Sequence, residues 1–499
     1  MTEVLAKEGI PQIGKQLLGK GVETVAMKSM YVALVCMGLV GAACGSKTNP
    51  NVCCTDSANC AAEGLPDDAQ CTGGLICRGN QCIAETCSTS NECEAGAPFC
   101  SSDGLCAMTC ESDAECPGHG GDATHAFCSS GACVQCRDST DCGAAQPFCS
   151  TGTCRGCETD DECSSGVCGL GGACASTDAI IYLDPAGVDG GQCTATAPCK
   201  TLHFGLSIVS SLRQIISMHT GTYTESPMSL STTDTTAALI DIHGHNSKVN
   251  VSYGDNYNYQ FGINIAIRDL AINATNGGGS VLNLVAQSAA CTLENVELSG
   301  PPNSVTESSS SEGAGIRLAG ALTAHNLRIH DVGVGIGDEG AMTVDRVVIY
   351  DTSAGITVGQ SQQANIQATN VLLYDSLNTA FVVGSGIGTF SFSTIASSIS
   401  ATGTQPSAAS CNNSGVAITS SILWSPGTHP VQLNCNTSIS IAGPPGPDPQ
   451  FVNSSAKNFH LSLGSPAIDM AATGPAYDID GDPRPQGARF DYGADEYKP

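Results

Sequence analysis

Arg268-Asp-Leu-Ala-Ile272, Glu294-Asn-Val-Glu-Leu298, His325-Asn-Leu-Arg-Ile329, Asp345-Arg-Val-Val-Ile349 and Thr369-Asn-Val-Leu-Leu373 align as five versions of one segment, offset by 26, 31, 20 and 24 residues. Each carries an aliphatic pair two positions apart: Leu270/Ile272, Val296/Leu298, Leu327/Ile329, Val347/Ile349 and Val371/Leu373. A period of two places both side chains on one face of a strand. The offsets match one turn of a stacked solenoid, so successive coils pile these pairs into aliphatic ladders. Asn295, Asn326 and Asn370 fall in one column, where turn asparagines stack their amides. An aspartate and then a hydrophobic strand follow three of the segments: Asp331 to Ile336, Asp351 to Ile356 and Asp375 to Phe381. A Ser-rich insertion, Pro301–Gly313, accounts for the long offset before His325. Two later coils are expected at Phe390–Ser400 and Val416–Trp424, with Cys411 bridged to Cys435 and Cys291 left as a small buried hydrophobe.

The flanks of this body are more specific. Upstream, Tyr182-Leu-Asp-Pro-Ala-Gly187, the pair Cys193/Cys199 and Pro198-Cys-Lys-Thr-Leu202 run into a helix expected from Leu202 to Arg213. Downstream stand Ser465-Pro-Ala-Ile-Asp469, Asp478-Ile-Asp-Gly-Asp-Pro-Arg484 and Phe490-Asp-Tyr-Gly-Ala-Asp-Glu-Tyr497. Together these resemble secreted right-handed parallel β-helix proteins of the pectin-lyase-like kind, and the last motif resembles the terminus of bacterial surface β-helices of the choice-of-anchor type. The resemblance implies an all-β solenoid over 178–464, a Cys193–Cys199 clip, a helix covering the open first coil and an acidic cap over 465–499. It implies little about activity, because such folds host many chemistries.

Before Asp178 the composition is different. Of 29 cysteines, 22 lie between Cys53 and Cys174, a density that belongs in an oxidising compartment. Units begin at Cys87 (CSTSNEC), Cys110 (CESDAEC), Cys136 (CRDSTDC) and Cys157 (CETDDEC), and close with Cys100/Cys106, Cys128/Cys133, Cys149/Cys154 and Cys168/Cys174. Such short units cannot bury a core, so each needs about two disulfides; spacing does not reveal the connectivity. The Cys-x2-Cys runs at Cys133 and Cys154 straddle unit boundaries and lack paired histidines, which favours a disulfide rod over zinc or thiol chemistry. The region, 53–177, is similar to short cysteine-rich repeats in surface proteins of myxobacteria-like organisms and, more loosely, to the N-terminal module of Dickkopf proteins.

Further upstream, Met27–Cys44 reads MKSMYVALVCMGLVGAAC, a lysine followed by an apolar run too short to span a bilayer, as in a signal peptide. Gly41-Ala-Ala-Cys44 resembles a bacterial lipobox, with Gly41 where leucine is usual; this implies a lipid on Cys44, a tether over 45–52 and an outer-membrane or cell-surface address. Residues 1–26 have no apolar core, as a start site assigned upstream of Met27 or Met30 would leave.

The formal net charge is −28, which disfavours nucleic acid and anionic lipid and leaves cations, glycans and proteins as partners. The expected state is a monomer touching the membrane only through its anchor. Asp331, Asp351 and Asp375 stand in register on consecutive coils, with His330, Tyr350 and Tyr374 beside them and Arg328 and Arg346 near. They read either as turn formers or as a catalytic carboxylate column for a polysaccharide lyase or hydrolase. Asp478, Asp480 and Asp482 read either as Ca2+ ligands or as partners of Arg484 and Arg489 in a terminal lock. His243-Gly-His245 reads as a solvated turn rather than a metal pair. No P-loop, dinucleotide fingerprint, nucleophile elbow or HExxH motif is present. The expected function is surface binding or adhesion, with an enzyme and an inert envelope scaffold as alternatives.

Overall fold

The computed structural model describes the hairpin strands at 75–78, 81–84, 99–100 and 106–107, then 109–498 except 117–126, 232–233, 252–256, 276–278, 302–312, 339, 360–363, 397–407, 413–414, 426–431, 439–440 and 443–445. Cys44, the tether and most of the serine-rich insertion lie outside the described residues. Two compact units result, 1–137 and 138–499.

The first unit holds small antiparallel hairpins such as Phe127–Ser129 with Ala132–Val134. Its bridges Cys110–Cys128 and Cys116–Cys133 join first to third and second to fourth cysteine of a repeat. The second unit repeats that scheme in Cys157–Cys168 and Cys163–Cys174, and Cys142–Cys154 fits it. The closing cysteines of a repeat, such as Cys128 and Cys133, face each other across a hairpin but bond elsewhere. That geometry ties the loop back onto the hairpin, which gives a unit without a core its rigidity.

The solenoid begins with strand Ile180–Leu183, which pairs in parallel with Ile215–Met218. Strands then stack coil on coil in one parallel register: Leu270, Val296, Leu327, Val347 and Val371 are successive partners, as are Ile272, Leu298, Ile329, Ile349 and Leu373. All ten are buried in one continuous core, as the alternation demands. Ile336, Ile356 and Phe381 form the next ladder of the same coils. The chain is a parallel β-helix. Cys193–Cys199 and Cys411–Cys435 are both formed, and Cys291 is a free thiol, buried, which pushes its pKa up to about 12.

The first coil is covered by a helix shorter than expected, Leu202–Ser207. It stops there because Ile208 leaves the helical region and Ser210 bridges back to Arg213, starting the next strand. Leu202 and Leu206 are buried in the solenoid core, and Glu225 accepts the Leu202 and His203 N–H groups at the helix start.

Eight successive coils turn through a left-handed residue at one position: Asn246, Asp269, Asn295, Asn326, Arg346, Asn370, Phe392 and Ser420 all have φ between 46° and 60°. Asn and Asp tolerate this conformation best. The asparagine ladder runs Asn326 to Asn295 at 2.8 Å and Asn295 to Asp269 at 2.9 Å. It does not reach Asn370, because Arg346 occupies the intervening coil and Asn370 donates to Asp345 and the Tyr477 carbonyl instead. Asn326→Ala should therefore cost about 1–2 kcal/mol in denaturant unfolding, and Asn326→Gly clearly less, since glycine restores the backbone freedom.

His243 is not solvated as the sequence suggested. It is 1% exposed, because the last cysteine repeat packs on the early coils and sets Asp160 2.9 Å from His243 Nδ1. Arg268 donates to the Cys168 carbonyl, Tyr182 to the Ser165 carbonyl, and Val167, Ile180 and Tyr182 form a shared apolar cluster. The compact unit holding the β-helix accordingly starts at Asp138, upstream of the composition change.

A candidate ligand groove on the outer face

The same strands that bury Val347/Ile349 and Val371/Leu373 turn Glu297, Arg328, Val348, Leu372 and Thr394 outward in one register. That outward column changes from charged to apolar at Val348. From there on it is covered. The C-terminal segment lies along this flank, donating from Ala494 N to Thr394 Oγ1 at 3.1 Å and from Gly493 N to the Ser420 carbonyl at 2.9 Å. A second apolar core joins Phe392, Ile422 and Ile441 of the coils to Leu461, Ala467, Ala471 and Tyr492 of the segment. Arg346 and Phe392, the bulky residues in the left-handed column, both meet it: Gly481 abuts Arg346 and the Arg484 guanidinium lies 5.5 Å above the Phe392 ring.

Where the segment stops, a cleft of about 180 Å³ opens between Arg328, Tyr374, Lys457, His460, Asp480 and Asp495. A shallow trough of about 320 Å³ continues over the uncovered coils, along Asn246, Asp269, Asn295, Asn326 and Glu297, and shares Arg328 with the cleft. At roughly 4.8 Å per coil the five steps from Asn246 to the Asn370 coil give a path of about 24 Å.

Beside the cleft runs an external ring ladder. His330 and Tyr350 stack at 4.9 Å, Tyr350 and Tyr374 at 5.1 Å, and Tyr374 meets Phe459 at 5.1 Å. The rings hide their faces against each other, so they offer edges and hydroxyls rather than platforms for stacking a sugar. Burial raises Tyr350, which hydrogen-bonds Arg328, and pushes Tyr374 to about 12, so both stay neutral hydroxyl donors.

Asp331, Asp351 and Asp375 occupy equivalent positions beside this ladder, each with φ near 50° (56°, 48° and 51°). Their backbone is that of turn formers. Asp331 meets His330 Nδ1 at 2.8 Å, and Lys457 pairs with Asp375. Asp351 has no ion pair of its own among the described residues; burial and the charges of Asp375 and Asp331 raise its carboxyl above the usual range. Arg346 is not a partner of this column, because it points to the opposite bend and reaches His325 and Asp345.

The acidic terminal motif is spent mostly on backbone. Asp478 Oδ1 accepts from the N–H groups of Asp480 (2.9 Å) and Asp482 (2.8 Å), and its Oδ2 from Glu496 N–H (3.1 Å). Asp491 takes the Asp469 and Tyr497 N–H groups, and Glu496 those of Gln486 and Asp491. Lys498 pairs with Asp482. Asp478, Asp480 and Asp482 thus do not converge as one ligand set. Of the two arginines proposed to lock the segment, Arg484 does so, 3.7 Å from Glu496 with both side chains fully buried. Sequence reasoning missed Lys457 and His460; the signal available was the outward change to apolar residues at Val348 and Leu372, which calls for a covering segment.

No protein-family model and no curated protein matches the sequence. Among solved structures, the crystal structure of pectate lyase Pel9A is similar over 64% of this chain and 97% of that one, at 12% identity and a TM-score of 0.42. The chain is a parallel β-helix preceded by disulfide-rich repeats, and its many disulfides belong to an exported protein.

Proposed function

We propose that this protein is a surface-exposed binding protein whose β-helix takes an extended glycan along the outer face, from the Asn246 trough to the cleft at Lys457. The continuous path through Arg328 carries this reading: a long, shallow, polar groove suits a polymer better than a compact metabolite. The groove mixes Arg328 and Lys457 with Glu297, Asp480 and Asp495 and is flanked by three aspartates, so a neutral glycan fits better than a polyuronide. In this reading Cys44 carries the lipid, the cysteine repeats act as a spacer and the protein works as a monomer; a protein partner on the same face is the alternative occupant. Lys457→Ala should weaken polysaccharide binding about tenfold, measured by titration calorimetry, since it removes a charged hydrogen-bond donor from the cleft wall.

A second reading, a lyase or hydrolase, is favoured by one feature: a raised carboxyl at Asp351 between two aspartates and near Lys457. Incubation with neutral polysaccharides and polyuronides, with and without Ca2+, separates the two. The binding reading expects no new reducing or unsaturated ends; products abolished by Asp351→Asn would replace it with the enzyme reading.

A further inference from the structure

We infer that His460, Asp480 and Asp495 form a binding site for a divalent transition-metal ion of the Zn2+ class at the mouth of the cleft. One imidazole nitrogen and one oxygen from each carboxylate lie within 4.8 Å of one another. His460 Nδ1 is 2.8 Å from Asp495 Oδ1 and 3.6 Å from Asp480 Oδ2. Ligands bound at about 2.0–2.2 Å in tetrahedral geometry sit roughly 3.4 Å apart, so an ion would widen the His460–Asp495 contact and leave the 3.6 Å His460–Asp480 separation nearly unchanged. It takes the place of the hydrogen-bonding proton on Nδ1, which leaves for solvent or resides on Nε2.

The surroundings leave these donors available. Asp495 Oδ2 holds the Leu461 N–H at 2.7 Å, which fixes the carboxylate while Oδ1 remains directed at His460. Asp480 carries its side chain half exposed, and its only ion-pair contact among the described residues is His460. Lys457 is taken by Asp375, and Lys498 by Asp482. Asp478 and Asp482 beside the site add to its negative field. A nitrogen donor with only two carboxylates selects Zn2+ over Ca2+, which needs six to eight oxygens. The residues border both the main cleft and a neighbouring hollow, so open coordination positions face solvent.

The site stands independently of the glycan reading. Its test is calorimetric titration of the tag-free, chelator-washed full chain with ZnCl2, MgCl2 and CaCl2. One Zn2+ per chain is expected, bound more tightly than Mg2+ or Ca2+ and weakened at least about tenfold by His460→Ala and by Asp480→Asn. Asp480→Asn keeps the backbone contacts of the segment, so it carries the test if His460→Ala loosens the fold. No Zn2+ uptake by the native chain, unchanged uptake by the Asp480→Asn chain, or tighter Ca2+ than Zn2+ binding would overturn the proposal.

Discussion

Arg484→Ala should cost about 3–5 kcal/mol and release the C-terminal segment from the flank of the solenoid. The guanidinium is fully buried, 3.7 Å from an equally buried Glu496, and donates to the Asp491 carbonyl at 3.3 Å and the Gly493 carbonyl at 3.0 Å. Alanine leaves the Glu496 charge buried without its cation and orphans both carbonyls. Glu496 in turn holds the Gln486 and Asp491 N–H groups, so the damage spreads through the loop that docks on Thr394 and Ser420. Hydrogen exchange should show lost protection over 465–497 and at Thr394, with the Leu270–Leu373 ladders still protected. Replacing Arg484 and Glu496 together by methionine should be far milder, because no charge is then stranded. A loss below about 1 kcal/mol for Arg484→Ala would show that this pair does not anchor the C-terminal segment.

The second large effect concerns the junction between the last cysteine repeat and the early coils. Asp160→Asn should weaken it by about 3 kcal/mol, read as increased proteolysis within 157–177 while the solenoid stays folded. Asp160 Oδ1 accepts the Cys168 N–H at 2.7 Å and Oδ2 meets His243, whose other nitrogen lies 3.2 Å from Asp241. Burial alone would lower His243, but the hydrogen bonds and charges of Asp160 and Asp241 outweigh it and raise the pKa to about 9, from 6.5. A raised histidine contributes fully below its unfolded value and loses its contribution as pH climbs through the folded one. The junction should therefore weaken between about pH 6.5 and 9. Asp160 behaves oppositely: burial would raise it, but His243 and the Cys168 N–H hold it below 3.8, so its contribution fades as pH falls through that lowered value. His245, 3.6 Å from Asp160, and Arg268, 3.4 Å from Asp241, complete the charges facing the pair. Unchanged proteolysis between pH 6 and 10 would contradict this linkage.

The ladders were legible because burial imposes a period of two on every coil, and Leu270 through Leu373 obey it without exception. The left-handed column was half legible: Asn295 and Asn326 announce it, whereas Arg346 and Phe392 hide it, since contacts from a distant segment hold them there. The disulfide scheme follows from the hairpin and loop of each repeat, a three-dimensional fact that spacing alone does not contain. The groove was least legible. Arg328 and the aspartate register come from the repeat, but Lys457 and His460 flank and lie on a short hairpin, Phe451–Asn453 with Asn458–Leu461, and no local pattern says which coil it will meet. The acidic terminal motif invited a calcium reading because its carboxylates alternate; most of them instead accept backbone N–H groups, a use composition does not distinguish from metal ligation.

The most direct test of the central claim is binding of the purified full chain to a panel of neutral polysaccharides, polyuronides and amino-sugar polymers, compared with the Arg328→Glu/Lys457→Glu double variant. Both side chains are exposed in the cleft wall, and the folding of the variant is checked by circular dichroism before binding is read. Saturable binding to a neutral polymer, reduced at least about tenfold in the variant and accompanied by no released product, is the expected result. Absence of binding across the panel, or equal binding by the folded variant, would contradict the assignment of the outer groove as the ligand site.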